Sequence, residues 1–89
     1  MSQAEADLAA IREYYERVAP EYAQTFVEGA LEKTQQLARL PRIGRIVPEI
    51  GDEQIRELIY RQYRIVYIVD AESERVDVLT IFHSARQFG

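Results

Sequence analysis

The chain has 89 residues, no cysteine and one histidine, which excludes a disulfide framework and a thiolate metal site and comes close to excluding a structural zinc site. Apolar residues make up 47% and charged residues 29%, so the chain as a whole does not read as disordered, and no apolar run approaches the roughly 20 residues that span a bilayer. The net charge of −4 argues against a generic polyanion binder, but it is unevenly spread: residues 1–38 carry seven acids against three bases, while residues 39–89 carry eight arginines against eight acids.

"SQAEADLAAIREYYERV" predicts a helix, because Ala4, Leu8, Ile11, Tyr15 and Val18 form one apolar stripe. Ser2 and Glu5 match a capping box and place its start almost at the first residue. Pro20 suits the first turn of a second helix that runs to about Arg39. Its expected buried side is Tyr22, Phe26, Leu31, Thr34 and Leu37, with Val27, Ala30 and Ala38 beside them. Gly29 lies inside this helix at a cost of about 1 kcal/mol relative to alanine, which suggests a close approach between the two helices. "LPRIGRIVPEIGDE" then reads as a loop with a short extended piece at 45–47.

Three strands should follow: "QIRELIY", "YRIVYIV" and "RVDVLTIFH", with a polar turn over residues 70–74. Helices followed by strands give an α+β fold, an N-terminal helical hairpin packed on a three-stranded antiparallel sheet. Strict alternation puts Tyr63, Ile65, Tyr67 and Val69 on one face of the middle strand, and Arg64, Val66 and Ile68 on the other. In the last strand it puts Leu79, Ile81 and His83 together, opposite Val76, Val78, Thr80 and Phe82. Both faces are apolar in their middles, and the helices can cover only one. The other needs a loop, a further segment or a partner.

His83 can serve as a general acid or base, since an imidazole titrates near neutrality. Arg56, Arg64 and Arg86 can hold phosphate, and Tyr60, Tyr63 and Tyr67 can stack on bases. Together these suit RNA cleavage. Each also has a structural reading. A histidine at a strand end commonly anchors a turn. Arginines within strands commonly pair with acids, here Glu49, Glu57 or Asp77. Tyrosines at strand spacing commonly pack the sheet. No nucleophile motif or Gly-rich phosphate cradle is present, and no metal or other cofactor is expected.

Four segments in order resemble the ParE branch of the RelE/ParE toxin superfamily, the plasmid-stabilisation proteins. "AEADLAAIREYY" is similar to the first-helix signature and "LPRIGRIVPEI" to the Pro/Gly-rich loop. "IRELIYRQYRIVYIV" is similar to the central hairpin, with Arg56 in Arg-Glu-Leu and residues 63–67 in Tyr-Arg-Ile-x-Tyr. "IFHSARQ" resembles the C-terminal His-x-x-Arg segment. The resemblance implies one cytoplasmic toxin domain over residues 1–89, the toxin of a type II toxin–antitoxin module that a cognate antitoxin neutralises. ParE-like members poison DNA gyrase. RelE-like members cleave mRNA in the ribosome, using an arginine on the Tyr-Arg-Ile strand and residues at the end of the last strand. Arg64 matches the first and His83, more loosely, the second. The family's opening strand has no counterpart before the first helix, where Met1 and Ser2 stand, so a fold without it is expected.

The acidic balance favours the gyrase-directed reading over a ribosomal ribonuclease. A non-toxic binding module of the same fold is a third reading. The residues expected to meet target or antitoxin are Arg56, Tyr63, Arg64, Tyr67, His83 and Arg86. If the chain is a ribonuclease, Arg64, His83 and Arg86 are the catalytic set, clustered at one end of the sheet. The unpaired edge of "RVDVLTIFH" further predicts a homo-oligomer when the chain is alone.

Overall fold

The computed structural model describes residues 2–86. Helix α1 (Gln3–Val18) starts at the capping box read from the sequence: Ser2 Oγ accepts the Glu5 N–H, and the Glu5 carboxylate accepts the Ser2 N–H. Ala19 separates it from α2 (Pro20–Arg39), where proline occupies the first turn. The stripe of α1 is buried at Ala4 and packs Leu8, Ile11 and Tyr15 on the core, but Val18 is exposed. On α2 the buried residues are Ala23, Phe26, Ala30 and Leu37, whereas Leu31 is turned to solvent.

The sheet has four antiparallel strands in the order β1 (Arg45–Ile46), β2 (Ile55–Tyr60), β3 (Tyr63–Val69) and β4 (Val76–His83). The architecture is α+β, with the helical hairpin packed on the sheet. The additional strand is the extended piece beside Gly44, which pairs Arg45 with Glu57 and Ile46 with Arg56. Two residues suffice there because Val47, next in sequence, is fully buried against Val66, Phe82 and Ile55. The loop after β1 thereby covers part of the face that the helices leave bare.

On the helix side, Tyr60, Tyr63, Ile65 and Ile81 meet Phe26 and Ala30, while Tyr67 and Val69 meet Leu37. The alternation expected for the last strand breaks. Val66 pairs with Thr80 but Tyr67 pairs with Val78, so Leu79 is an extra, exposed residue in a β-bulge. The bulge turns Val76 and Val78 onto the helix side, where they pack on Leu37, Tyr67 and Val69 instead of sharing a face with Phe82. Gly29 is also explained differently from the expectation. A Cβ there would collide with Tyr60 Oη on β2, so the close approach is helix to strand. No helix among the described residues is long and apolar enough to cross a membrane.

Candidate functional site

Arg64 lies on β3 on the side away from the helices, and only 7% of its surface is exposed. A buried guanidinium needs its donors paired. Glu57, on the neighbouring strand, accepts from Nε at 2.6 Å, and its same oxygen forms an ion pair with Nη2 at 2.5 Å. Glu49, carried by the loop after β1, accepts from both terminal nitrogens at 2.8 Å. The other oxygen of Glu57 takes Arg45 Nε at 2.5 Å. Two arginines and two glutamates thus form one linked, charge-balanced chain, and among the described residues no buried side-chain polar atom is left without a partner. The Arg64 hydrogen bonds hold the Glu49 carboxyl down at a pKa of about 2. Of the three acids available to the strand arginines, Glu49 and Glu57 are used by Arg64. No ion pair of Asp77 occurs among the described residues.

Below Arg64 lies the ring of Phe82, its cross-strand partner, at 5.3 Å. Arg86 places its guanidinium 5.9 Å from the same ring. His83 pairs across the strands with Tyr63, and its ring meets that of Tyr63 edge-on at 5.3 Å. Neighbouring residues of a strand point to opposite faces, so Phe82 and His83 divide the expected cluster. Arg64 and Arg86 share Phe82, while His83 belongs to the helix side. His83 Nδ1 accepts the Ala85 N–H at 3.1 Å, and its carbonyl accepts the Arg86 N–H at 2.9 Å. This is the turn-anchoring role, with Nδ1 as the acceptor. Gln87, the last residue of the matched C-terminal segment, lies outside the described residues, as does Met1.

The other candidates brace the scaffold. Arg56 donates to the carbonyls of Glu53 at 2.9 Å and Gly44 at 3.0 Å, tying the residue before β1 to the end of the loop that leads into β2. Tyr67 is fully buried, and its hydroxyl accepts the Gly44 N–H at 2.9 Å; burial raises its pKa. Gly44 has to be glycine, since a Cβ would stand 2.5 Å from the Glu57 carbonyl and 2.6 Å from Tyr67 Oη. Tyr63 is buried, and burial followed by the Tyr15 hydroxyl raises its pKa. Tyr60 is buried and donates to the Phe26 carbonyl at 3.0 Å. None of these three rings is open for stacking on a base.

Arg61 is not singled out by any motif of the sequence. It sits in the two-residue connection of the β2–β3 hairpin with φ +53°, and its guanidinium lies 5.3 Å from the Tyr22 ring and 5.4 Å from the Tyr60 ring. The signal was the pair Arg61-Gln62 standing between two strands, where a connection this short commonly requires a left-handed residue. Asp7 is not singled out either; its carboxylate reaches from α1 to β4. Among the described residues no group of three potential ligands is arranged to hold a metal ion. The geometry offers paired guanidinium groups and braced aromatic rings, which suit binding. His83 and Arg64 face opposite ways, so they do not form an acid–base pair around one phosphate.

A family model described as "ParE toxin of type II toxin-antitoxin system, parDE" matches residues 1–88. None of the curated proteins matches the chain.

Proposed function

This chain belongs to the ParE toxin family of type II toxin–antitoxin systems, and we propose that it acts on DNA gyrase by binding rather than by chemistry and is neutralised by a cognate antitoxin. The observation that carries the non-catalytic part is the engagement of Arg64. Its guanidinium is occupied by Glu49 and Glu57, and the only histidine faces the other side of the sheet. A ribonuclease built on Arg64, His83 and Arg86 would need those groups around one phosphate. The net charge of −4 supports the same choice, because a ribosome is a dense polyanion.

The antitoxin is proposed to be an acidic segment that orders as it binds. Exposed Ile43, Ile50 and Ile59, with the arginines of residues 39–89, give it apolar and cationic contacts. Self-association of the free chain belongs to the same reading. Among the described residues β4 has no strand on its outer side, and Asp7 covers that edge only at Thr80 and Ile81. A cytoplasmic site of action follows from the gyrase reading. The test is induction of the full chain in cells, with plasmid topology and transcript ends followed together. Relaxed plasmid with intact transcripts is the expected result. Cut transcripts with unchanged supercoiling would move the chain to the ribonuclease class. No growth effect in either assay would leave a binding module without toxicity.

A further inference from the structure

At the end of the sheet where the β2–β3 hairpin turns, Tyr15, Tyr22, Arg61, Gln62 and Tyr63 line a cleft of about 300 Å³. No acid lines it, although the chain is acidic overall. Arg61 is fixed there by several layers of structure. Its Nε donates to Tyr60 Oη at 3.2 Å, and Tyr60 Oη donates to the Phe26 carbonyl at 3.0 Å. Gly29 leaves the space that brings Tyr60 Oη to α2. The guanidinium plane is held near the rings of Tyr22 and Tyr60. Its backbone adopts a left-handed φ of +53° that glycine would take more easily.

The remaining donors are what such a cleft offers. Among the described residues no carboxylate pairs with Arg61, unlike Arg42, Arg45 and Arg64. Tyr15 and Tyr63 share one hydrogen bond at 3.4 Å, so one of their two hydroxyl protons is left for another acceptor. Gln62 adds a neutral amide at the rim. A fork of guanidinium donors, neutral donors beside it and aromatic walls fit one planar anion with an apolar stem.

We propose that the Arg61 cleft is a docking site for a single carboxylate side chain, an aspartate or glutamate of a partner polypeptide, with its methylene stem against Tyr22 and Tyr15. One fixed cation with neutral donors matches one negative charge. A nucleic acid would bring a row of phosphates and require a row of cations, which the cleft does not have. The chemistry of the cleft is independent of which target the toxin has.

The test is an NMR titration of the full chain with two acetylated, amidated alanine heptapeptides, one with a central glutamate and its twin with glutamine. The glutamate peptide should shift Arg61, Gln62 and Tyr22 saturably and bind about tenfold tighter than the twin, the scale of a charge-assisted hydrogen bond. Arg61→Lys, which keeps the charge without the fork, should lose several-fold of that preference. Arg61→Gly should abolish it with the fold intact, because glycine accepts the positive φ freely. Equal binding of the two peptides would overturn the proposal, as would shifts confined to another surface or a preference that survives in Arg61→Gly. Tighter binding of inorganic phosphate or oligothymidine at the same resonances would overturn it in favour of a phosphate site.

Discussion

Asp7 and Ile81 lie 74 residues apart in sequence, yet the Asp7 carboxylate accepts the Ile81 N–H at 3.0 Å and the Thr80 hydroxyl at 2.5 Å. An outward-facing N–H on an edge strand invites another strand. Here α1 supplies an acceptor instead, and the bulge at Leu79 distorts the edge beside it. Asp7→Ala should cost about 1–3 kcal/mol, since it leaves donors on β4 unpaired. It should also increase self-association in sedimentation velocity. Burial alone would raise the Asp7 pKa, but hydrogen bonds from Thr80, Ile81 and Gln3 together bring it below the usual aspartate value. A depressed folded pKa means that the contribution is complete above the unfolded value, near pH 4, and is lost as pH falls through the folded one. Asp7→Asn should flatten that part of the stability profile.

Glu49 gives a second, separable acid response. Its folded pKa of about 2 lies below the ordinary glutamate value of 4.5, with the Arg64 hydrogen bonds the largest cause. The stabilisation it provides is therefore full above about pH 4.5 and disappears as pH falls toward 2. Denaturation midpoints measured across this window should fall less steeply for Glu49→Gln than for the wild type. Amide exchange in residues 48–53 should speed up in the variant at neutral pH, because the loop loses its tie to β3. A variant profile parallel to that of the wild type would show that Glu49 contributes nothing to acid stability.

The glycines of the core make a graded pair. Gly29→Ala improves helix propensity by about 1 kcal/mol, yet its Cβ meets Tyr60 Oη, so net destabilisation of about 1–3 kcal/mol from overpacking is expected. Tyr60→Phe in the same chain should recover part of it by removing the nearest atom. Gly44→Ala should be worse, because its Cβ faces the Glu57 carbonyl as well as a side chain, and strand backbone cannot rotate away. Thermal melts of the three variants order these costs.

His83 acts through a lone pair. Its Nδ1 accepts the Ala85 N–H, a bond that an asparagine side-chain oxygen can reproduce. Toxicity should persist in His83→Asn, with stability within about 1 kcal/mol of the wild type. Loss of toxicity in a variant that melts normally would return the imidazole to an active role.

Much of this was legible from local chemistry. Ser2 with Glu5, Pro20 after Ala19, and the β-branched run of β3 each specify an element without help from the rest of the chain. The acids that hold Arg64 were among those the sequence offered. What stayed hidden depends on tertiary registration. "VDVLT" alternates in sequence whether or not Leu79 is an extra residue, so the switch of Val76 and Val78 to the helix side leaves no mark. Arg64 and His83 sit in segments that resemble functional ones, but their faces are set by the pairing of Tyr63 with His83 and of Arg64 with Phe82. Arg61 is an ordinary turn residue in sequence terms, and only the fold brings the rings of Tyr22 and Tyr60 from different elements to it.

The most direct test of the central claim is a supercoiling assay with purified gyrase, relaxed plasmid and ATP, titrated with the full chain and with His83→Asn. Both proteins should inhibit supercoiling over the same concentration range, and neither should cut mRNA added with ribosomes in a parallel reaction. Undisturbed supercoiling together with ribosome-dependent cleavage, lost in His83→Asn, would contradict it.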